Sequence, residues 1–326
     1  MRGFFTLVSI ENTKLWKRIS TKVMLGMLIF ILLLATGIYK YHKVSTHQSN
    51  TIKVEDTWKE SLKEELNQEK LQEKQLEASG DASAKIQLGG LKKSIAEAEY
   101  RINNNIKPNE KSTVWDMMSE FNMNSLIALF VIISCATLVA GEFTEGTMKM
   151  MISRPYSRRQ LLSAKFVATI IYGLELMAAA FVLTFVLVGI LFGFNGVGAK
   201  DMFWTTSKII YMPAALKMLI LYLLDFLQIL LFVVLTLTLS AATRSRSIAT
   251  GFSLFMILAG VQILQMLALY FSWGKYLPFI ANDFSGLVNN GSRIYGINMS
   301  FALISSLIYG IIICALGYFI FRKRDV

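Results

Sequence analysis

Six long apolar runs limit what this 326-residue chain can fold into. They cover residues 23–39, 123–140, 166–194, 216–239, 248–273 and 299–321. About 20 residues of helix cross the roughly 30 Å of hydrocarbon in a bilayer, and a lipid-exposed backbone must satisfy its own hydrogen bonds. A transmembrane β-barrel would instead alternate apolar and polar residues. The sequence therefore predicts an all-α polytopic membrane protein with six transmembrane helices.

The placement of basic residues predicts the orientation of these helices. If both termini are cytoplasmic, the inside segments hold 15 Lys and Arg residues and the two short outside loops hold five. The other 13 lie in the long segment after the first run, where charge has little effect on orientation. We therefore expect both termini in the cytoplasm. The net charge of +11 then reflects topology and contact with anionic lipid headgroups, and predicts no nucleic-acid partner.

Residues 1–22 are predicted to form an amphipathic helix that lies at the membrane interface. Phe4, Val8, Leu15 and Ile19 share one helical face, which Glu11 interrupts. A frayed cytoplasmic leader is the alternative interpretation. Residues 23–39 then form the first transmembrane helix, and residues 123–326 form a five-span transmembrane domain.

Residues 40–122 have a different composition and predict an extracellular helical hairpin with a coiled-coil seam. Residues 55–77 are rich in Glu, Lys, Gln and Leu, which favour helix, and the sequence SGD at 79–81 interrupts them. In the second helix the apolar residues follow the 3-4-3-4 spacing of a coiled coil. The predicted seam of the second helix consists of Leu88, Leu91, Ile95, Ala98 and Ile102. The first helix carries an irregular apolar stripe of Trp58, Leu62, Leu66, Leu71 and Leu76.

Two other connections between the spans have sequences that predict their structure. The sequence ATRSRS at residues 242–247 predicts a tight inner turn between the fourth and fifth spans. The loop from 273 to 298 is partly apolar and predicts a short re-entrant or interfacial helix pair before the sixth span.

Ionisable and amide side chains inside the apolar runs are the candidates for a substrate path. Glu175 lies ten residues after Lys165, about 15 Å along a helix and so close to the bilayer midplane, and Asp225 lies in the outer half of its span. Such acids should face protein or water, or be protonated. They either line a path or hold helices together by hydrogen bonds. The polar groups available to them include Gln228, Gln262 and Gln265.

No catalytic or metal-binding pattern stands out. The sequence contains no Gly-rich Gly-Lys-Ser/Thr loop, no His-Glu-x-x-His and no Gly-x-Ser-x-Gly. The two cysteines, Cys135 and Cys314, both lie in spans, which argues against a structural disulfide. We therefore expect neither an enzyme nor a bound cofactor in this chain; any ATP hydrolysis belongs to another subunit.

The polar segment between the second and third runs, residues 141–165, has a signature of its own. It contains Glu142, Glu145, Gly146 and Thr147, followed by Arg154, Pro155 and Arg158. This pattern resembles the cytoplasmic signature of type-2 ABC (ATP-binding cassette) transporter permeases, which include bacterial antibiotic, bacteriocin-immunity, sodium and polysaccharide exporters. The overall layout resembles that family too. A solvated loop that merely holds topology is the alternative.

The resemblance implies a function and partners. Residues 142–158 would form a coupling helix that docks on a separate ATP-binding subunit, with the seven residues just named at the contact. It implies two such ATPase subunits, which bind ATP and Mg²⁺, and a second permease chain, identical or different, in a bacterial cytoplasmic membrane. The implied activity is export or membrane extraction of a lipophilic or peptide-like substrate. A non-transporting assembly or sensing protein whose extracellular stalk binds a partner is the alternative function.

Overall fold

The structure is a computed structural model that describes residues 2–45, 58–79, 82–108, 112–144, 158–206, 208–292, 294 and 296–323. Six of its helices are long and apolar enough to cross a membrane. They span Ile19–His42, Asn124–Glu142, Gln160–Phe192, Ala214–Thr243, Arg246–Tyr270 and Met299–Ile320. The predicted all-α polytopic fold is therefore confirmed, with each predicted run inside or overlapping one of these helices.

The helices follow the chain in a simple order. Those before the second span are α1 (Arg2–Lys17), α2 (Ile19–Ser45), α3 (Trp58–Ser79), α4 (Ala82–Asn104) and α5 (Val114–Glu120). Next come α6 (Asn124–Thr144), α7 (Arg158–Phe192), α8 (Ala214–Thr243) and α9 (Arg246–Phe255). A π-helical turn, Met256–Gly260, leads from α9 into α10 (Val261–Tyr270). Short 3₁₀ turns at Ser272–Tyr276 and Ile280–Asn282 precede α11 (Phe284–Asn290) and α12 (Met299–Lys323).

The tight turn between the fourth and fifth spans is confirmed. Arg244 ends α8 in the left-handed conformation (φ 55°), and its N–H donates to the Ser240 carbonyl. Ser245 then caps α9 by accepting a hydrogen bond from the Ile248 N–H. Each helix terminus at this turn therefore has a capping hydrogen bond, and the chain reverses between Thr243 and Arg246.

The predicted helical hairpin is also confirmed, with one correction. Leu66, Ile95 and Ala98 form its buried core, and Leu62, Leu91 and Ile102 pack against them. Leu71, predicted in the irregular apolar stripe of α3, is 61% exposed and lies outside this core. Ion pairs such as Lys70–Glu99 at 2.6 Å join the two helices on the surface.

A two-stranded ribbon, which was not predicted from the sequence, follows α7. Strands β1 (Lys200–Trp204) and β2 (Ile209–Pro213) pair antiparallel, with Lys200 opposite Pro213 and Trp204 opposite Ile209. The strands carry aromatic and β-branched side chains that favour extended backbone. The ribbon is too short to alter the fold class.

The N-terminal helix α1 packs on the bundle along α7, and its predicted face needs correction. Leu7, Val8 and Leu15 are buried, whereas Ile19 is 78% exposed because it belongs to α2. Glu11, which interrupts the apolar stripe in the sequence, is completely buried on this face. The reason lies in its partners, described next.

Candidate functional site: an ion cluster and a polar cavity

Four charged side chains meet where α1, α6 and α7 come together; we call them the ion cluster (Glu11, Lys14, Glu142 and Lys165). Lys165 Nζ lies 2.9 Å from Glu11 Oε2 and 2.7 Å from Glu142 Oε1. It also donates to the Leu138 carbonyl at 3.1 Å. Lys14 Nζ completes the cluster, 2.6 Å from Glu11 Oε1 and 3.5 Å from Glu142 Oε1. Two cations therefore neutralise two carboxylates.

Burial makes these contacts strong. The side chains of Lys165 and Glu11 are 1% and 0% exposed, and that of Glu142 is 9% exposed. Burial alone would raise the pKa of Glu11, but the Lys165 ammonium and the hydrogen bonds from Lys14 and Lys165 outweigh it, and its pKa lies below the ordinary value of 4.5. Glu11 is therefore held as a carboxylate.

The ion cluster borders the segment predicted to be the coupling helix. Glu142 lies near the end of α6, before the segment, and Lys165 lies in the second turn of α7, after it. Glu142, predicted to belong to the coupling helix, lies in α6, which continues to Thr144, and its carboxylate is bound within the chain. Arg158 is the first residue of α7. The remaining predicted coupling residues, Glu145, Gly146, Thr147, Arg154 and Pro155, lie outside the described residues.

Glu175 of α7 also lies next to α1, but its hydrogen-bond partners are not members of the ion cluster. Its carboxylate accepts hydrogen bonds from Asn12 Nδ2 at 3.1 Å and 3.3 Å and from the indole Nε1 of Trp16. Of the two alternatives for Glu175, the structure supports the one in which it holds helices together by hydrogen bonds. Its partners lie on α1 and are not Gln228, Gln262 or Gln265. The acid instead attaches α1 to α7 a second time.

At the end of the bundle that carries the hairpin, a cavity of about 330 Å³ opens among α6, α8, α10 and α11. We call it the polar cavity. Four of the five predicted intramembrane residues, Asp225, Gln228, Gln262 and Gln265, line it together. The other lining residues are Asn122, Asn124, Ser125, Ala128, Ile229, Ile257, Val261, Phe279, Asp283 and Ser285.

The fold explains how these side chains converge. The π-helical turn inserts one extra residue per turn just before Gln262 and Gln265, and such turns are frequent at functional sites. Opposite them, Asn282 Nδ2 donates to the Gln228 carbonyl at 3.1 Å and so fixes the loop before α11 against α8. Asp283 caps α11 by accepting the Gly286 N–H at 3.0 Å.

Several of these residues were missed in the sequence. Asn122 and Asp283 lie in connections, and Asn124 and Ser285 lie in the first turns of α6 and α11, where polar residues carry no pattern. Asp283 ahead of an apolar run is nevertheless a cap signal. Glu11 and Lys14 are spaced i, i+3 on one helix face, but nothing in the sequence says that Lys165 is their partner. Within the described ranges, no three His, Cys, Asp or Glu side chains group as a metal site would require.

Comparison with known proteins points to one family. A family model described as "Protein of unknown function (DUF2705)" matches residues 87–326. The chain is 32% identical over 323 residues to "Uncharacterized protein YhcI" of Bacillus subtilis (strain 168), covering 98% of each chain. It is 25% identical over 207 residues to "Uncharacterized membrane protein YdbK" of the same organism, covering 63% of this chain and 80% of the relative. With six apolar helices and a relative of that description, the chain is a membrane protein.

Proposed function

The chain belongs to the DUF2705 family, and we propose that it is the membrane-spanning permease subunit of an ATP-binding-cassette exporter whose ATPase is a separate chain. The resemblance of residues 142–158 to the coupling signature supports this, together with the order of interfacial helix, six spans, tight turn and re-entrant segment. The observation that carries the proposal is the ion cluster, because it borders the coupling segment on both sides.

The cluster has the form that a mechanical coupling needs. Glu142 of α6 and Lys165 of α7 flank residues 145–157 and bind each other at 2.7 Å, and Glu11 ties α1 to the same lysine. A force on the segment between them reaches two spans and α1 as one unit, since leaving one of these buried charges unpaired costs about 3–5 kcal/mol. ATP binding in the partner subunits would then bias the bundle between two states.

The roles of individual residues follow from their positions. Glu145, Gly146, Thr147, Arg154, Pro155 and Arg158 are assigned to the ATPase contact. Glu142 is assigned a positioning role instead, because its carboxylate is bound by Lys165 and Lys14 inside the protein. A solvated loop that merely connects two spans would not require an ion pair between the residues at its two borders.

The remaining parts of the assembly follow from the same proposal. Two copies of the permease, or this chain and a second one, form the membrane domain with two ATPase subunits that bind ATP and Mg²⁺. Both termini and residues 145–157 face the cytoplasm of a bacterial cell, and the hairpin lies outside. The exported or extracted substrate is lipophilic or peptide-like.

Charge reversal at the coupling segment tests this function. We expect R154E and R158E each to reduce co-purification with an ATPase subunit from native membranes, and the double variant to abolish it, because both invert charges at the docking surface. R322E, which inverts a basic residue in the C-terminal anchor, is the matched control and should retain the ATPase. Membrane abundance of all variants is measured in parallel.

Retention of the ATPase by the double variant would disprove the coupling assignment. If the wild-type chain brings down no ATP-binding-cassette subunit at all, the exporter proposal fails. The alternative, a non-transporting assembly or sensing protein whose hairpin binds a partner, would then account for the fold better.

A further inference from the structure

We propose that the polar cavity binds an organic cation, a ligand with an ammonium group placed against Asp225 and Asp283 and an apolar body. Its role as the substrate site rests on the proposed exporter function. Binding of such a ligand by the isolated permease chain does not depend on that function. The binding site and the exporter function can therefore be disproved separately.

The charges in the cavity form the first argument. Two carboxylates line it, whereas no Lys, Arg or His is among the lining residues that the structure describes. Asp225 is 2% exposed and lines the same cavity as Asp283, so two acidic side chains face one space. Asp225 accepts hydrogen bonds from Asn122 Nδ2, at 3.5 Å, and from the Ser285 side chain, and neither donor carries a charge. An ionised acid buried within a membrane span is costly unless it is paired, and a ligand cation would supply the pair.

The carboxamides form the second argument. The Nδ2 and Oδ1 atoms of Asn124 are buried without a hydrogen-bond partner in the described protein, which costs free energy unless a bound molecule satisfies them. Gln262 and Gln265 line the same cavity from α10. Since carboxamides both donate and accept, they suit a ligand with amide or hydroxyl groups beside its amine.

The apolar wall and the volume complete the description of the ligand. The cavity lining includes the apolar side chains of Ile229, Ile257, Val261 and Phe279. A hydrated inorganic ion would leave the space next to these side chains unfilled. The volume of about 330 Å³ lies at the lower end of the roughly 300–1,000 Å³ typical of small-molecule sites. A compact amine with an apolar or aromatic portion fits both features.

Equilibrium binding of tyramine to the purified chain in lipid nanodiscs, without ATPase and without ATP, tests the site. Tyrosol, in which a hydroxyl replaces the ammonium group, is the matched neutral probe. We expect tyramine to bind at least about tenfold more tightly than tyrosol. D225N should remove this preference. Q262K should abolish tyramine binding by placing a cation in the cavity, and it alters an exposed residue, so the fold should tolerate it.

E120Q is the control, because Glu120 is an exposed acid at the end of α5, outside the cavity lining. It should keep the wild-type preference. Equal affinity for the two probes, or a tyramine preference that survives both D225N and Q262K, overturns the site. Amine binding with no ATPase in the co-purification overturns the exporter function alone. ATPase docking without amine binding overturns this inference alone.

Discussion

The most consequential single side chain in this protein is Lys165. It is 1% exposed and is shared by two carboxylates from two other helices. This explains why α1, whose apolar face is interrupted by an acid, nevertheless packs on the bundle with that acid inward. Glu11 is an anchor for α1 because its charge is matched at 2.9 Å by a lysine 154 residues away.

Truncating the buried lysine should be far more damaging than truncating the exposed one. K165M leaves Glu11 and Glu142 without their principal buried partner and should reduce the free energy of unfolding by about 3–5 kcal/mol. K14M, whose side chain is 41% exposed, should cost no more than about 1 kcal/mol. Unfolding by sodium dodecyl sulfate titration in mixed micelles measures both. Similarly small losses of unfolding free energy in the two variants would show that the ion cluster does not hold α1, α6 and α7 together.

The lowered pKa of Glu11 predicts an acid-sensitive contribution to stability. Because the folded-state pKa lies below the ordinary 4.5, the stabilisation is fully present above that pH and is lost as the pH falls through the lowered value. E11Q cannot ionise, so the difference in stability between wild type and E11Q should shrink on acidification. Thermal unfolding at a series of pH values from neutral downward measures it. A difference that stays constant over this range would contradict the assignment.

Among the helices, the hairpin and the last loop meet at a close glycine contact. A Cβ on Gly89 of α4 would lie 1.8 Å from the Ser292 carbonyl oxygen, and one on Gly291 would lie 2.2 Å from the Gly89 oxygen. Lys93 Nζ adds a hydrogen bond to the Asn289 carbonyl at 2.5 Å. The hairpin is thus attached to α11, whose preceding loop carries Asp283 of the polar cavity.

Adding one methyl group should separate these two elements. G89A introduces an atom that overlaps backbone, so α4 must move away from residues 289–292. G90A is the matched control, since its Cβ would lie at an ordinary 3.4 Å from the Asn290 oxygen. Hydrogen–deuterium exchange of residues 284–291 should rise in G89A only. Equal exchange in the two variants would mean that the contact does not hold the loop.

At the scale of the whole molecule, the hairpin and the transmembrane bundle have separate cores within the described residues. Within the described residues, the bundle clusters contain no residue of α3 or α4, and the hairpin core contains only residues of these two helices. The bundle is therefore expected to fold without the hairpin, which touches it at α10, α11, strand β2 and the last loop.

Removal of residues 55–102 tests this division. We expect the deleted chain to accumulate in membranes at close to the wild-type level, because its transmembrane clusters remain complete. The range of substrates exported or resisted should change, since the cavity loses a neighbour of its α11 wall. Membrane fractionation and growth assays measure the two effects. Loss of all membrane accumulation would show that the hairpin is needed for folding.

The amino-acid sequence was sufficient for the six spans, the tight turn and the hairpin, because long apolar runs, capping residues and coiled-coil spacing act locally. It also identified Asp225 and the three glutamines, since polar groups inside apolar runs are conspicuous. It did not reveal that these four share one cavity with residues from connections, while Glu175 faces α1. Nor did it reveal that Glu11 and Lys165 pair. These facts depend on which helix faces meet, and that is set by long-range packing to which no local pattern is coupled.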